Sequence, residues 1–67
     1  MQKGIVKEYD RYKGYGFITG DDGEDYFVHA RGLRVHLQEK GLRPGQRVLF
    51  DIAFDMKGDK AINVRLG

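Results

Sequence analysis

The sequence contains no cysteine. That removes disulfide staples and thiolate chemistry, and it fits a reducing, cytoplasmic setting. No stretch approaches the roughly 20 consecutive apolar residues that span a bilayer, so no membrane partner is expected. The opening residues MQKGIVKEYD carry no apolar core of the kind found in a secretory signal. Repeats, low-complexity tracts and linkers are also missing. So are the constellations that metals and covalent catalysis require. His29 and His36 have no metal-like spacing with other ligands. Asp21, Asp22, Glu24 and Asp25 lack the EF-hand pattern and read as a hydrated turn. His29 has no identifiable nucleophile or orienting partner for general-base work. The expectation is a non-enzyme with no cofactor, no metal and no small-molecule substrate.

What remains is a single domain over residues 1–67 with a net charge of +2 and an isoelectric point near 9.0. A chain this short buries only about 60% of the surface that its unfolded form exposes, so its stability is expected to be marginal. The mild positive charge permits a nucleic-acid partner without requiring one. Its distribution is uneven. Asp21 to Asp25 is acidic at every residue but Gly23, whereas Arg31, Arg34, Lys40, Arg43 and Arg47 follow with only Glu39 against them.

Turn signals recur at short intervals, the mark of an all-β domain. Five strands are expected: Gln2 to Tyr9, Tyr15 to Gly20, Asp25 to His29, Gln46 to Phe54 and Ala61 to Leu66. Asp22-Gly23 is a hairpin signal between the second and third. Arg43-Pro44-Gly45-Gln46 reads as a type II turn, with proline fixing φ at its second position and glycine supplying positive φ at its third. A further turn is expected around Lys57-Gly58-Asp59. In the fourth strand Val48, Phe50, Ile52 and Phe54 alternate with Leu49, Asp51 and Ala53, a period of two. Arg31 to Leu42 is compatible with a short helix, through Leu33 and Leu37, or with a long basic loop. Five short strands are most economically joined as a small closed barrel, since closure removes exposed edges. An SH3-like barrel is a rival at this level.

The stretch KGYGFITGDDGEDYFVHA, Lys13 to Ala30, holds half of the tyrosines and half of the phenylalanines. Alternate residues of a strand share a face. Tyr15 and Phe17 therefore lie together, as do Phe27 and His29, with Ile18 and Val28 as core on the opposite side. Such a patch suits the stacking of unpaired bases, each worth about 1–3 kcal/mol. Lys7, Lys13 and the arginines after His29 are candidates for phosphate contacts. The opposite register would bury Tyr15, Phe17 and Phe27, but it would bury His29 as well.

Lys13-Gly14-Tyr15-Gly16-Phe17-Ile18 resembles the first ribonucleoprotein motif, K/R-G-F/Y-G/A-F-V, although Gly20 stands where its last aromatic should be. An RRM would need two helices and more residues. Taken whole, the chain resembles the cold-shock domain family. Gly4-Ile5-Val6-Lys7 resembles its opening, and Tyr26-Phe27-Val28-His29 its VFVH motif. Gly45-Gln46-Arg47-Val48-Leu49-Phe50 and Ala61-Ile62-Asn63-Val64 are similar to its later strands. The resemblance implies a five-stranded antiparallel OB-fold barrel. It further implies single-stranded RNA or DNA as partner and a nucleic-acid chaperone role. Contact residues expected on this basis are Lys7, Lys13, Tyr15, Phe17, Phe27 and His29, with Tyr9 and Arg31 beside them.

The sequence departs from the family at two stacking positions. Glu8 stands where the family has Trp, and Ala30 where an aromatic usually follows the VFVH motif. Losing two stacks at about 1–3 kcal/mol each would cost about 2–6 kcal/mol if additive. Weak binding with a large electrostatic share is therefore expected. Glu8 could instead trade stacking for a base preference, because carboxylates accept hydrogen bonds from base amino groups. The alternative function is an OB-fold that has lost nucleic acid and uses its exposed aromatics on a protein partner. An SH3-like barrel gripping a proline-rich peptide is a more distant rival.

Overall fold

The computed structural model describes residues 1–56 and 58–67. Five strands form it: β1 (Gln2–Asp10), β2 (Tyr15–Gly20), β3 (Asp25–His29), β4 (Arg47–Asp55) and β5 (Gly58–Leu66). Between β3 and β4 lie a 3-10 turn (Ala30–Gly32) and the short helix α1 (Val35–Lys40). The strands close into a barrel in the order β1-β2-β3-β5-β4. The all-β, five-stranded barrel expected from the sequence is the observed architecture. Its strands are antiparallel at every seam except β3/β5, which is parallel. The exception follows from parity, because an odd number of strands in a closed ring cannot all alternate in direction. No helix among the described residues is long and apolar enough to cross a membrane.

The turns follow from side chains that satisfy backbone groups locally. At the end of β1, Asp10 Oδ1 accepts from the N–H groups of Tyr12 at 2.9 Å and Lys13 at 3.0 Å. This Asx-type arrangement reverses the chain into β2. The Arg43–Gln46 turn forms as expected, with Gly45 at φ 89° and the Gln46 N–H donating to the Arg43 carbonyl at 3.2 Å. The turn expected around Lys57, Gly58 and Asp59 rests partly on residue 57, outside the described residues. β5 starts at Gly58, earlier than the expected Ala61.

Val6, Ile18, Tyr26, Val28, Val48, Phe50, Ala61 and Val64 line the barrel interior. Phe50 is fully buried, and its ring lies 5.3 Å from that of Tyr26. Burying such a side chain contributes about 1.5–3 kcal/mol. Leu33, Leu37 and Leu42 are buried in the same core, so the segment from Arg31 to Leu42 closes the barrel rather than hanging from it. It resolves as a 3-10 turn, a bridge from Leu33 to Val64, and six residues of helix. In β4 the alternation holds through Val48, Phe50 and the partly buried Ile52, but Phe54 lies exposed toward the strand's end.

Candidate nucleic-acid interface

β2 and β3 pair so that Phe17 faces Phe27 and Tyr15 faces His29. Ile18 and Val28 are 0% exposed, while Tyr15 is 39% and Phe27 37% exposed. The aromatic side of the hairpin therefore faces outward and the aliphatic side fills the core. The Tyr15 and Phe27 rings stack at 5.9 Å with planes 28° apart. Phe17 meets Phe27 edge-on at 5.9 Å and 75°. The three rings form one continuous surface. It is presented by rigid strands, so little ordering is needed when a flat ligand arrives.

Gly16 sets how closely β1 approaches this surface. A Cβ on Gly16 would collide with the Glu8 carbonyl oxygen and would come within 2.6 Å of the Tyr9 Cα. Only glycine allows the two backbones so close.

A β-bulge interrupts β1 between Val6 and Glu8. Val6 pairs with Ile18 and points inward, but Glu8 pairs with Phe17, so the bulge brings its carboxylate to the outer face. Tyr9 pairs with Gly16 and packs against the core, and burial pushes its hydroxyl pKa up. Tyr9 thus borders the aromatic surface without joining the three stacked rings. Glu8, Tyr9, Asp10, Lys13, Tyr15 and Gly16 line a groove of about 260 Å³ at this edge.

The expected phosphate contacts are spread around the face. Lys7 Nζ donates to Asp25 Oδ2 at 3.0 Å, and Asp25 Oδ1 also accepts from the Thr19 hydroxyl at 2.9 Å. Hydrogen bonding to Lys7, and next to Thr19, holds the Asp25 carboxyl below its usual range. The same bond to Asp25 raises the Lys7 pKa. Lys13 lies in the β1–β2 loop, and the Ala30 N–H donates to the Gly14 carbonyl at 2.8 Å. That bond joins the Lys13 loop to the end of β3. His29 Nδ1 accepts from the Arg31 N–H at 3.1 Å, leaving Nε2 as the ring's other polar atom. Arg31 is exposed beside it.

Of the arginines that follow, one is engaged in a hydrogen bond and another lies on a different seam. Arg34 Nε donates to Asn63 Oδ1 at 3.0 Å, and Arg47 pairs with Ile5 on the β1/β4 seam. One cation escaped the sequence reading. Lys60 stands beside Phe27 across the parallel seam, 3.7 Å from Asp55. Contiguity in sequence could not reveal it, because the seam joins residues far apart in the chain. Among the described residues no group of acidic and imidazole side chains is placed to hold a metal.

The geometry is matched by kinship. A family model described as the 'Cold-shock' DNA-binding domain matches residues 2–66. Cold shock protein 1 of Lactiplantibacillus plantarum is 45% identical over 64 residues, covering 96% of each chain. A cold shock-like protein of Aquifex aeolicus is 45% identical over 65 residues, covering 96% of this chain and 91% of its own. Another from Thermotoga maritima is 44% identical over 64 residues, covering 96% of each. With an outward aromatic hairpin on a closed five-stranded barrel and a match over nearly its whole length, the chain belongs to the cold-shock family of DNA-binding domains.

Proposed function

We propose that this protein binds single-stranded RNA or DNA by stacking bases on Tyr15, Phe17 and Phe27, and that it acts as a nucleic-acid chaperone. The observation that carries this reading is the continuity of the three rings, each neighbouring pair 5.9 Å apart, on an outward face. His29 Nε2 is available to a base edge or a phosphate. Lys13, Arg31 and Lys7 surround the rings with positive charge, Lys7 competing with its own bond to Asp25. Stacking on the rings favours unpaired strands, since bases in a duplex are already stacked on one another. A protein that captures unpaired segments opposes weak secondary structure in a transcript.

Affinity is weaker than a full aromatic platform would give. Glu8 and Ala30 supply no stacking surface, and Glu8 adds a negative charge beside Phe17. The compensating phosphate contacts make binding salt-dependent, with log K falling by about 0.7 for each phosphate neutralised on a single strand.

The test is a titration of fluorescent oligothymidylate and oligouridylate at low and higher salt. Saturable binding is expected, weakened by Phe17→Ala and by Phe27→Ala by about 1–3 kcal/mol each. A folded protein that binds neither oligonucleotide at low salt overturns the proposal. The exposed Glu8 carboxylate on the aromatic face would then favour a protein partner carrying a complementary cation.

A further inference from the structure

Stacking leaves one polar feature of this face unused. The Glu8 carboxylate is exposed on the outer side of β1, opposite Phe17. Among the described residues it takes part in no hydrogen bond or ion pair between side chains. Two of its neighbours are otherwise engaged: Lys7 is held by Asp25 at 3.0 Å, and Asp10 Oδ1 accepts two backbone N–H groups of the β1–β2 loop. Among the described residues Glu8 is thus a free acceptor, at the rim of the groove that Tyr9, Asp10, Lys13, Tyr15 and Gly16 also line. A groove of about 260 Å³ has room for one base beside the three rings.

The chemistry of a free carboxylate there is selective. It has two oxygens and only accepts hydrogen bonds. Guanine presents two adjacent donors on its Watson–Crick edge, the ring N1–H and the exocyclic amino group. Cytosine and adenine present one amino group. Uracil and thymine present a single ring N–H between two carbonyl oxygens, both of which repel a carboxylate.

We propose that Glu8 and the groove beside it form a base-selective subsite that favours guanine and disfavours uracil and thymine. This rests on the stacking function proposed above and adds a reader of base edges to it. Glu8 repels every phosphate alike, so its general electrostatic cost is the same for all sequences. Only the ratio of affinities between bases reports the subsite. A good two-point pair discriminates by about 1–3 kcal/mol, so a preference of at least about fivefold is expected.

The experiment compares short oligothymidylates with the same oligomers carrying one guanine, walked along the strand, at a fixed salt concentration. A single guanine separated by thymines avoids self-assembly. Wild type is expected to bind at least one guanine-containing oligomer about fivefold or more tightly than all-thymine. Glu8→Gln replaces one acceptor oxygen by a donor and should bring that ratio close to one while leaving the barrel intact. Equal affinities for all oligomers in wild type overturn the subsite and leave the stacking function standing. A preference that survives in Glu8→Gln also overturns it, placing the selectivity elsewhere. Failure of every oligomer to bind overturns the stacking function and the subsite together.

Discussion

Lys7 and Asp25 are 18 residues apart in sequence, yet Lys7 Nζ lies 3.0 Å from Asp25 Oδ2, joining the bulge of β1 to the start of β3. The bond keeps a cation at the edge of the aromatic face and at the same time occupies it. Both side chains are largely exposed, so solvent screening leaves the pair little net stabilising effect. Its expected weight is on the proposed nucleic-acid binding.

Replacing Asp25 by Asn is therefore expected to strengthen oligonucleotide binding. It frees Lys7 for phosphate, removes a negative charge, and keeps an amide oxygen for Thr19. The slope of log K against log salt should steepen by about 0.7, one further phosphate on a single strand. Titrations across a salt series measure this. An unchanged slope would show that Lys7 does not reach the backbone.

Phe17 and Phe27 touch, so their contributions to binding should not add. Each alanine variant alone should weaken oligothymidylate binding by about 1–3 kcal/mol. The double variant should lose measurably less than the sum, because residues in contact couple by about 0.5–3 kcal/mol. A double-mutant cycle on affinity decides it, and strict additivity would mean that the two rings hold separate bases independently.

Tyr26 is buried, and its hydroxyl donates to Asp22 at 2.6 Å, tying the β2–β3 hairpin loop to the core. That bond, and then burial, pushes the Tyr26 pKa up to about 12, and the same bond holds Asp22 below its usual value. The raised Tyr26 value means that the stability linked to its protonated form is intact below about pH 10 and is lost as pH climbs through about 12. The lowered Asp22 value means that its share is intact above the ordinary carboxylate range and is lost as pH falls through the lowered value. Tyr26→Phe should lower Tm at neutral pH and flatten both declines. Thermal melts from acid to pH 12 test this, and an unaltered profile would remove Tyr26 as its source.

Gly16→Ala should separate β1 from β2, since the new methyl meets the Glu8 carbonyl. Overpacking of this kind costs about 1–3 kcal/mol. In a domain of this size each kcal/mol lowers Tm by about 4–8 °C. Tm should therefore fall by at least about 4 °C. Oligothymidylate binding by the folded protein should change less, because Tyr15, Phe17 and Phe27 all lie on the β2–β3 hairpin.

Much of this surface is legible in the sequence. Hairpin boundaries at Tyr15–Gly20 and Asp25–His29 follow from period-two patterning and the Asp22-Gly23 turn, and they match the structure. Which side of the hairpin faces outward is less legible. Both sides carry rings, and only the resemblance of the ordered motifs separated them. β1 shows where local reading stops. Strict alternation from an inward Val6 would send Glu8 inward and Tyr9 outward, but one inserted residue at the bulge reverses both. Bulges have no compositional signal strong enough to read from one sequence. Lys60 beside Phe27 and Lys7 on Asp25 are invisible for a different reason. They depend on barrel closure, which brings together residues that no short window contains. The helix at Val35–Lys40 has six residues and no side-chain cap, so its own propensity could not have announced it.

The parallel β3/β5 seam also fixes when the binding face can be finished during synthesis. β3 carries Phe27 and His29, and its second neighbour is β5, which is translated last of the five strands. A nascent chain that ends before Gly58 can form the β2–β3 hairpin, but it has nothing to lay beside Phe27 on the open edge. The nucleic-acid surface is thus begun with the hairpin and completed late. A chain still on the ribosome, surrounded by RNA, does not present its complete face until its last strand has emerged.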